Sequence, residues 1–180
     1  MQQGNIVKIA VFGSAFNPPT RGHLSTLARL THFDQVLLVP SFSHAWGKSM
    51  LPFATRCELV SCFIEDAKLT NLSLCTLEQT LGQSGDAVTT YALFSALELQ
   101  YPDAELTFVL GPDNLLNFSK FYQSEAILKR WSILCSPETL TVRSTQVREA
   151  ILAGQDDLSP WLTPSVAAMV KAMALYLHQD

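Results

Sequence analysis

Five short apolar runs, separated by helical patterns, constrain this chain more than any other feature. They are "IVKIAVFG" (Ile6 to Gly13), "QVLLVP" (Gln35 to Pro40), "LSLCTLE" (Leu72 to Glu78), "LTFVLG" (Leu106 to Gly111) and "WSILCS" (Trp131 to Ser136). Most are rich in β-branched or aromatic residues and several stop at Gly or Pro, which reads as strand. Several are apolar at consecutive positions, as strands of a parallel sheet covered on both faces should be. Between them, "GHLSTLARLT" places Leu24, Leu27 and Leu30 three residues apart, and "PFATRCELVSCFIEDA" carries Leu59, Cys62 and Phe63 on one face. "TTYALFSALELQY" repeats Tyr91, Phe94, Leu97 and Tyr101, "STQVREAILAG" runs from a hydroxyl cap to Gly154, and "TPSVAAMVKAMALYL" closes the pattern.

Alternating strands and helices predict a parallel sheet with right-handed crossovers: an α/β, doubly wound (Rossmann-like) domain with a C-terminal helical segment. At 180 residues, with no linker or internal repeat, the expectation is one domain over 1–180. Ligands of such folds bind beyond the carboxyl ends of the strands, here after Phe12, Pro40, Gly111 and Ser136.

Composition narrows the function classes. With 48% hydrophobic and 16% charged residues and a net charge of −4, the chain is globular and lacks a basic face for nucleic acid. No apolar run approaches the roughly 20 residues that span a bilayer, and the N-terminus lacks a basic signal region, so a cytoplasmic protein is expected. The four cysteines (57, 62, 75 and 135) form no C-x-x-C pair and no metal-ligand spacing.

The first strand ends in an irregular turn, "GSAFNPPTRGHL". Gly13 and Ser14 follow the strand, and Gly22 and His23 stand where the next helix begins. A helix start offers unpaired N–H groups and a positive dipole end, which favour an anion, and glycine lets it approach closely. Thr20 and His23 would both reach that anion. The turn is not G-x-G-x-x-G, because Ala15 and Pro18 interrupt it. "GKS" at Gly47 to Ser49 is not a P-loop, because Phe42 stands at the first glycine position.

The wording of this turn resembles the signature of the nucleotidylyltransferase superfamily, G-[GS]-x-F-[DN]-P followed by [HT]-x-G-H. The matching residues are Gly13, Ser14, Phe16, Asn17, Pro18, Thr20, Gly22 and His23. The superfamily's second signature, S-[ST]-x-x-R, matches "RSTQVREAI" through Ser144, Thr145 and Arg148. Within it, the chain looks most like the nicotinate/nicotinamide mononucleotide adenylyltransferases. "LLVPSFSHAWGKSMLPFATRCELV" resembles their strand, substrate loop and helix, including Lys48 and Arg56. "FVLGPDNLLNF" resembles their G-x-D strand end, with Gly111 and Asp113. Thr20 replaces the first histidine of H-x-G-H, "AVTTYALFSAL" lacks the acid of the usual T-x-D-T-L, and the stretch from Cys135 to Arg143 is short.

The resemblance implies adenylyl transfer from ATP to nicotinate or nicotinamide mononucleotide, with release of pyrophosphate. His23 and Thr20 would contact the α-phosphate, Lys48 would reach phosphate from the opposite loop, and Arg148, one turn into its helix, would face the same anion as Ser144 and Thr145. Gly13, Ser14, Phe16 and Gly22 would line the approach, Ser144 and Thr145 the β- and γ-phosphates, and Gly111 and Asp113 the ribose. Asn17, His44, Trp46, Thr89 and Thr90 fall on the acceptor side. Mg²⁺ would bridge phosphate oxygens through mostly water ligands, and no protein metal site is expected. Partners would be small molecules, with no nucleic acid or membrane, and a homo-oligomer is compatible. The alternatives are another cofactor nucleotidylyltransferase, such as one acting on phosphopantetheine, or a non-catalytic nucleotide-binding regulatory module of the same fold.

Overall fold

A computed structural model describes residues 6–43, 49–83 and 87–177. Five strands form one parallel sheet: β1 (Val7–Ser14), β2 (Gln35–Pro40), β3 (Leu72–Leu74), β4 (Ala104–Leu110) and β5 (Ser132–Cys135). Their order is β3-β2-β1-β4-β5, so the chain winds outward from β1 in both directions. Val11 pairs with Leu37 on one side and with Phe108 on the other.

Alternate residues of the strands feed two cores. Ala10, Phe12, Val36, Leu38 and Val109 face one; Ile9, Val11, Leu37, Val39, Leu106, Phe108 and Leu110 face the other. This explains the runs without a polar face, because both surfaces of a central parallel strand are covered. The first core is completed by α1 (Arg21–Leu27), α2 (Phe53–Ala67), α7 (Ser144–Leu152) and α8 (Pro164–Ala172). The second is completed by α3 (Leu77–Leu81), α4 (Thr90–Gln100), the 3₁₀ turn Phe118–Lys120 and α6 (Ser124–Arg130), while the short α5 (Pro112–Leu116) before that turn buries none of its residues. No described helix is long and apolar enough to cross a membrane.

Several boundaries differ from expectation. β1 runs through Gly13 to Ser14, because Gly13 and Ser14 stay in register with Val39 and Pro40 of β2. β3, at the sheet edge, ends at Leu74, and Leu77 and Glu78 open α3 instead of continuing a strand. α8 stops at Ala172: Ala174 and Tyr176 take positive φ, and Leu175 N–H donates to Val170 O, folding the C-terminal segment back. The helices α5 and α6 lie in a stretch where no periodic pattern announced them.

The switch in winding direction at β1 leaves a crevice above the carboxyl ends of β1 and β4, the place where such folds bind ligands.

Candidate active site

That crevice is a cleft of about 390 Å³. The ends of β1 (Phe12 to Ser14) and β4 (Phe108 to Leu110), the starts of α1 (Gly22, His23) and α7 (Ser144, Thr145), and the segments 111–114 and 136–143 surround it. The two signatures, more than a hundred residues apart in sequence, thus share one cavity wall.

His23 is the third residue of α1, and its ring is held at both nitrogens. The Thr20 N–H donates to Nδ1 at 3.0 Å, while the His23 N–H donates to Thr20 Oγ1 at 3.4 Å. This reciprocal pair is a capping box in which histidine takes the role usually played by Glu or Gln. An Nδ1 that accepts an N–H carries no proton, so the neutral ring carries its hydrogen on Nε2. Nε2 lies 3.1 Å from Ser14 Oγ and donates to it, and Ser14 Oγ also accepts from Phe16 N–H at 3.4 Å. The ring packs against Phe16, with centroids 5.0 Å apart, and edge-on to Phe12. Burial, and then the nearby positive charge of Arg143, push the His23 pKa down to about 4. A second proton would have to sit on Nδ1, facing the Thr20 N–H. His23 therefore meets the cleft as a neutral Nε2–H donor.

Thr20 has a different place from the one expected. It is fully buried, and its hydroxyl donates to Val142 O at 2.9 Å. Thr20 caps α1 and ties it to the 138–143 segment. Gly22 is required for the same contact: a Cβ there would come 2.5 Å from Val142 O and 3.1 Å from Glu138 Oε2. At Gly111, by contrast, a Cβ would meet nothing within 4 Å, so that glycine leaves open space at the strand end.

The helix α7 also opens differently. Ser144 and Thr145 are its first residues, with Arg143 at the N-cap position and its N–H donating to Gln146 Oε1 at 2.9 Å. Ser144 Oγ donates to Pro18 O at 2.7 Å, so its hydroxyl ties the two signature segments together. The first-turn amides of α7 have no partner within the helix and remain suited to an anion. Arg148 turns away from the cleft: it donates to Asn17 O at 2.7 Å and to Thr145 Oγ1 at 3.3 Å, and it lines a neighbouring cavity of about 500 Å³.

Asn17 is buried, and its Oδ1 accepts from Leu51 N–H and from the Tyr176 hydroxyl. It joins the turn after β1 to the start of α2 and to the C-terminal segment, with the Asn17–Pro18 peptide bond cis. Phe16, at φ 47°, is fully buried and acts through its ring and N–H. Asp113 reaches the cleft on the first turn of α5. Thr89 caps α4, its hydroxyl accepting from Ala92 N–H, and neither it nor Thr90 is among the described residues lining the cleft. His44, Trp46 and Lys48 lie outside the described residues.

Two residues matter more than their sequence context suggested. Arg56 is 1% exposed and donates to Leu51 O, Ala15 O and Ser41 O at 2.7–2.9 Å. One buried guanidinium thus fixes the turn after β1, the loop after β2 and the start of α2. Glu78 accepts from Phe42 N–H at 2.8 Å, and burial pushes its carboxyl up to about 7. The sequence names Arg56 only through the resemblance and Glu78 only as the end of a strand run, because a lone Arg or Glu is by default exposed. Glu138, on the cleft wall beside Gly22, lies in a segment with no periodicity to flag it.

Comparison with known proteins agrees with this geometry. Residues 11–157 match the model of the cytidylyltransferase-like family. A crystal structure from Vibrio parahaemolyticus named "Putative Nicotinate-nucleotide Adenylyltransferase" is 44% identical and covers 97% of this chain and 98% of its own, with a TM-score of 0.86. A "Probable nicotinate-nucleotide adenylyltransferase" of Myxococcus xanthus is 32% identical over 86% of this chain and 88% of the relative. The nicotinic acid mononucleotide adenylyltransferase of Plasmodium falciparum, complexed with NaAD, shares the fold at 17% identity, with a TM-score of 0.75 over 94% of this chain and 97% of that one. With its two signature segments walling one cleft at the switch point of the sheet, the chain belongs to the cytidylyltransferase-like family and is a nucleotidyltransferase.

Proposed function

We propose that this chain transfers the adenylyl group of ATP to the phosphate of nicotinate mononucleotide, giving nicotinate adenine dinucleotide and pyrophosphate. The observation that carries the reading is His23, locked as a neutral Nε2–H donor where β1 ends. Its support is the pyridine nucleotide named for the relatives above.

An acceptor phosphate oxygen attacks the α-phosphorus, and the bond to the bridging oxygen of the leaving pyrophosphate breaks. This displacement needs no protein nucleophile; it needs alignment and stabilisation of developing charge. His23 Nε2–H exchanges its bond to Ser14 Oγ for one to a non-bridging α-oxygen, whose negative charge grows in the transition state. The first-turn amides of α7 at Ser144 and Thr145 receive the β- and γ-phosphates. The open strand end at Gly13 and Gly111 admits the phosphate and ribose, with Asp113 accepting from a ribose hydroxyl. Thr20, Phe16, Asn17 and Arg148 position the turn that carries this machinery. Arg56 and Glu78 hold Ser41 and Phe42, the base of the loop on the acceptor side.

Among the described residues, no group of three His, Cys, Asp or Glu side chains is placed to hold a metal ion. On this reading Mg²⁺ arrives on the triphosphate with water ligands. It would offset phosphate charge while the protein supplies the aligned donors.

An acceptor screen tests the proposal. Pyrophosphate release from ATP is expected with nicotinate mononucleotide. Release only with nicotinamide mononucleotide would move the acceptor to the amide. Release only with phosphopantetheine would assign another cofactor, and ATP binding with no turnover on any acceptor would leave a nucleotide-binding module.

A further inference from the structure

The cleft presents a charge problem. A triphosphate needs cations, yet the signature arginine, Arg148, spends its guanidinium on Asn17 O and Thr145 Oγ1 and lines the neighbouring cavity. The arginine that lines the cleft among the described residues is Arg143, at the N-cap of α7. It is held there by two carboxylates: Glu138 Oε1 at 3.0 Å and Asp113 Oδ2 at 3.4 Å. The other oxygen of Glu138 lies beside Gly22, 3.1 Å from where a Cβ would stand, next to His23. A carboxylate thus fills the space between the start of α1 and Arg143, where an anionic ligand would lie.

We propose that Arg143 is the cation that binds the triphosphate and that Glu138 holds it in reserve, its carboxylate occupying the anion position until the nucleotide displaces it. The proposal rests on the nucleotide reading of the cleft but not on the identity of the acceptor. Three observations converge on it. Arg143 stands at the start of α7, so its guanidinium and the helix amides address the same anion. Its charge already reaches His23, the group assigned to the α-phosphate. Its two ion pairs are partly solvated, with the Arg143 side chain 57% exposed, that of Asp113 77% and that of Glu138 25%. Pairs of this kind are worth little, so they yield to a ligand carrying several charges. The exchange conserves pairing: Arg143 leaves a carboxylate for a phosphate, and Glu138 swings into solvent without being stranded unpaired in the cleft. With Glu138 in place, an empty cleft discriminates against singly charged anions, which repay less of the displaced pair.

Calorimetry with a non-hydrolysable ATP analogue tests this without any acceptor. Arg143→Ala should weaken the analogue about ten- to a hundredfold, the scale of a lost hydrogen bond to a charged group, and leave adenosine binding unchanged. Arg143→Lys should recover part of the loss. Glu138→Gln should tighten the analogue by up to about fivefold, the ceiling for a partly exposed ion pair, and by clearly less when Arg143 is already alanine. Equal tightening in both backgrounds would mean simple charge repulsion and overturn the reserve role. Weaker binding in Glu138→Gln would make Glu138 a ligand contact and overturn it as well. Unchanged affinity in Arg143→Ala would remove Arg143 from the phosphate site. An intact protein that binds no ATP analogue in any form would instead overturn the nucleotide reading itself.

Discussion

His23 is assigned two separable tasks, and two substitutions pull them apart. Nδ1 accepts the Thr20 N–H and caps α1; Nε2–H bonds Ser14 Oγ at the cleft wall and is the proposed phosphate donor. In His23→Asn, the amide Oδ1 sits as many bonds from the backbone as Nδ1 did. It can keep the capping bond, while nothing replaces Nε2. His23→Ala loses both. Loss of one capping interaction costs about 1 kcal/mol, and the ring's contacts with Phe12 and Phe16 add about as much again. For a chain of this size, about 2 kcal/mol lowers Tm by roughly 4–8 °C. Loss of the transition-state donor lowers kcat by about a hundred- to a thousandfold in either variant. The expected pattern is therefore matched loss of turnover with a clear fall in Tm for alanine and a smaller one for asparagine. Pyrophosphate release and thermal unfolding measure the two axes. Turnover near the parent rate in His23→Asn would refute the donor role. An equal fall in Tm for both variants would refute the cap.

Other expectations follow from the same geometry. Gly22→Ala should destabilise by about 1–3 kcal/mol, because its Cβ would meet backbone oxygen of Val142; Gly111→Ala should leave Tm nearly unchanged and raise the KM for ATP by crowding the open strand end. Arg56→Met should cost about 3 kcal/mol or more in chemical unfolding, since three buried carbonyls lose a charged donor at once. Two buried groups should tilt stability against pH in opposite directions. His23, with its pKa lowered from 6.5 to about 4, binds fewer protons folded than unfolded, so its contribution is present above pH 6.5 and lost as pH falls toward 4. Glu78, raised from 4.5 to about 7, gives a contribution present below pH 4.5 and lost as pH rises through 7. Each slope should disappear from the unfolding profile in its own variant, His23→Asn or Glu78→Gln, and persistence of either slope would reject that assignment.

The fold was legible because the central strands are apolar on both faces, a pattern that in a chain of this length admits little besides a covered parallel sheet. The cleft was legible because both signatures sit where strand ends meet helix starts. Individual roles were less so. Thr20 and His23 read as a pair of phosphate ligands, but three residues apart at a helix start is also the spacing of a capping box, and only the hydrogen bonds show that His23 caps α1 through Nδ1 and leaves Nε2 at the cleft side. Ser144 and Arg148 match the signature, yet their polar atoms hold Pro18 O and Asn17 O, contacts across more than 120 residues that no local pattern reveals. Arg56 could be named from the resemblance but its role could not, for the same reason: its three acceptors come from three separate segments.

The most direct test of the central claim is the state of the His23 ring, read by ¹⁵N NMR of histidine-labelled protein with and without a non-hydrolysable ATP analogue. The expected result is a neutral ring protonated at Nε2 at neutral pH, resisting protonation to well below 6.5, with the Nε2–H signal shifting when the analogue binds. A ring protonated at Nδ1, or one that titrates near 6.5 and ignores the analogue, would contradict it.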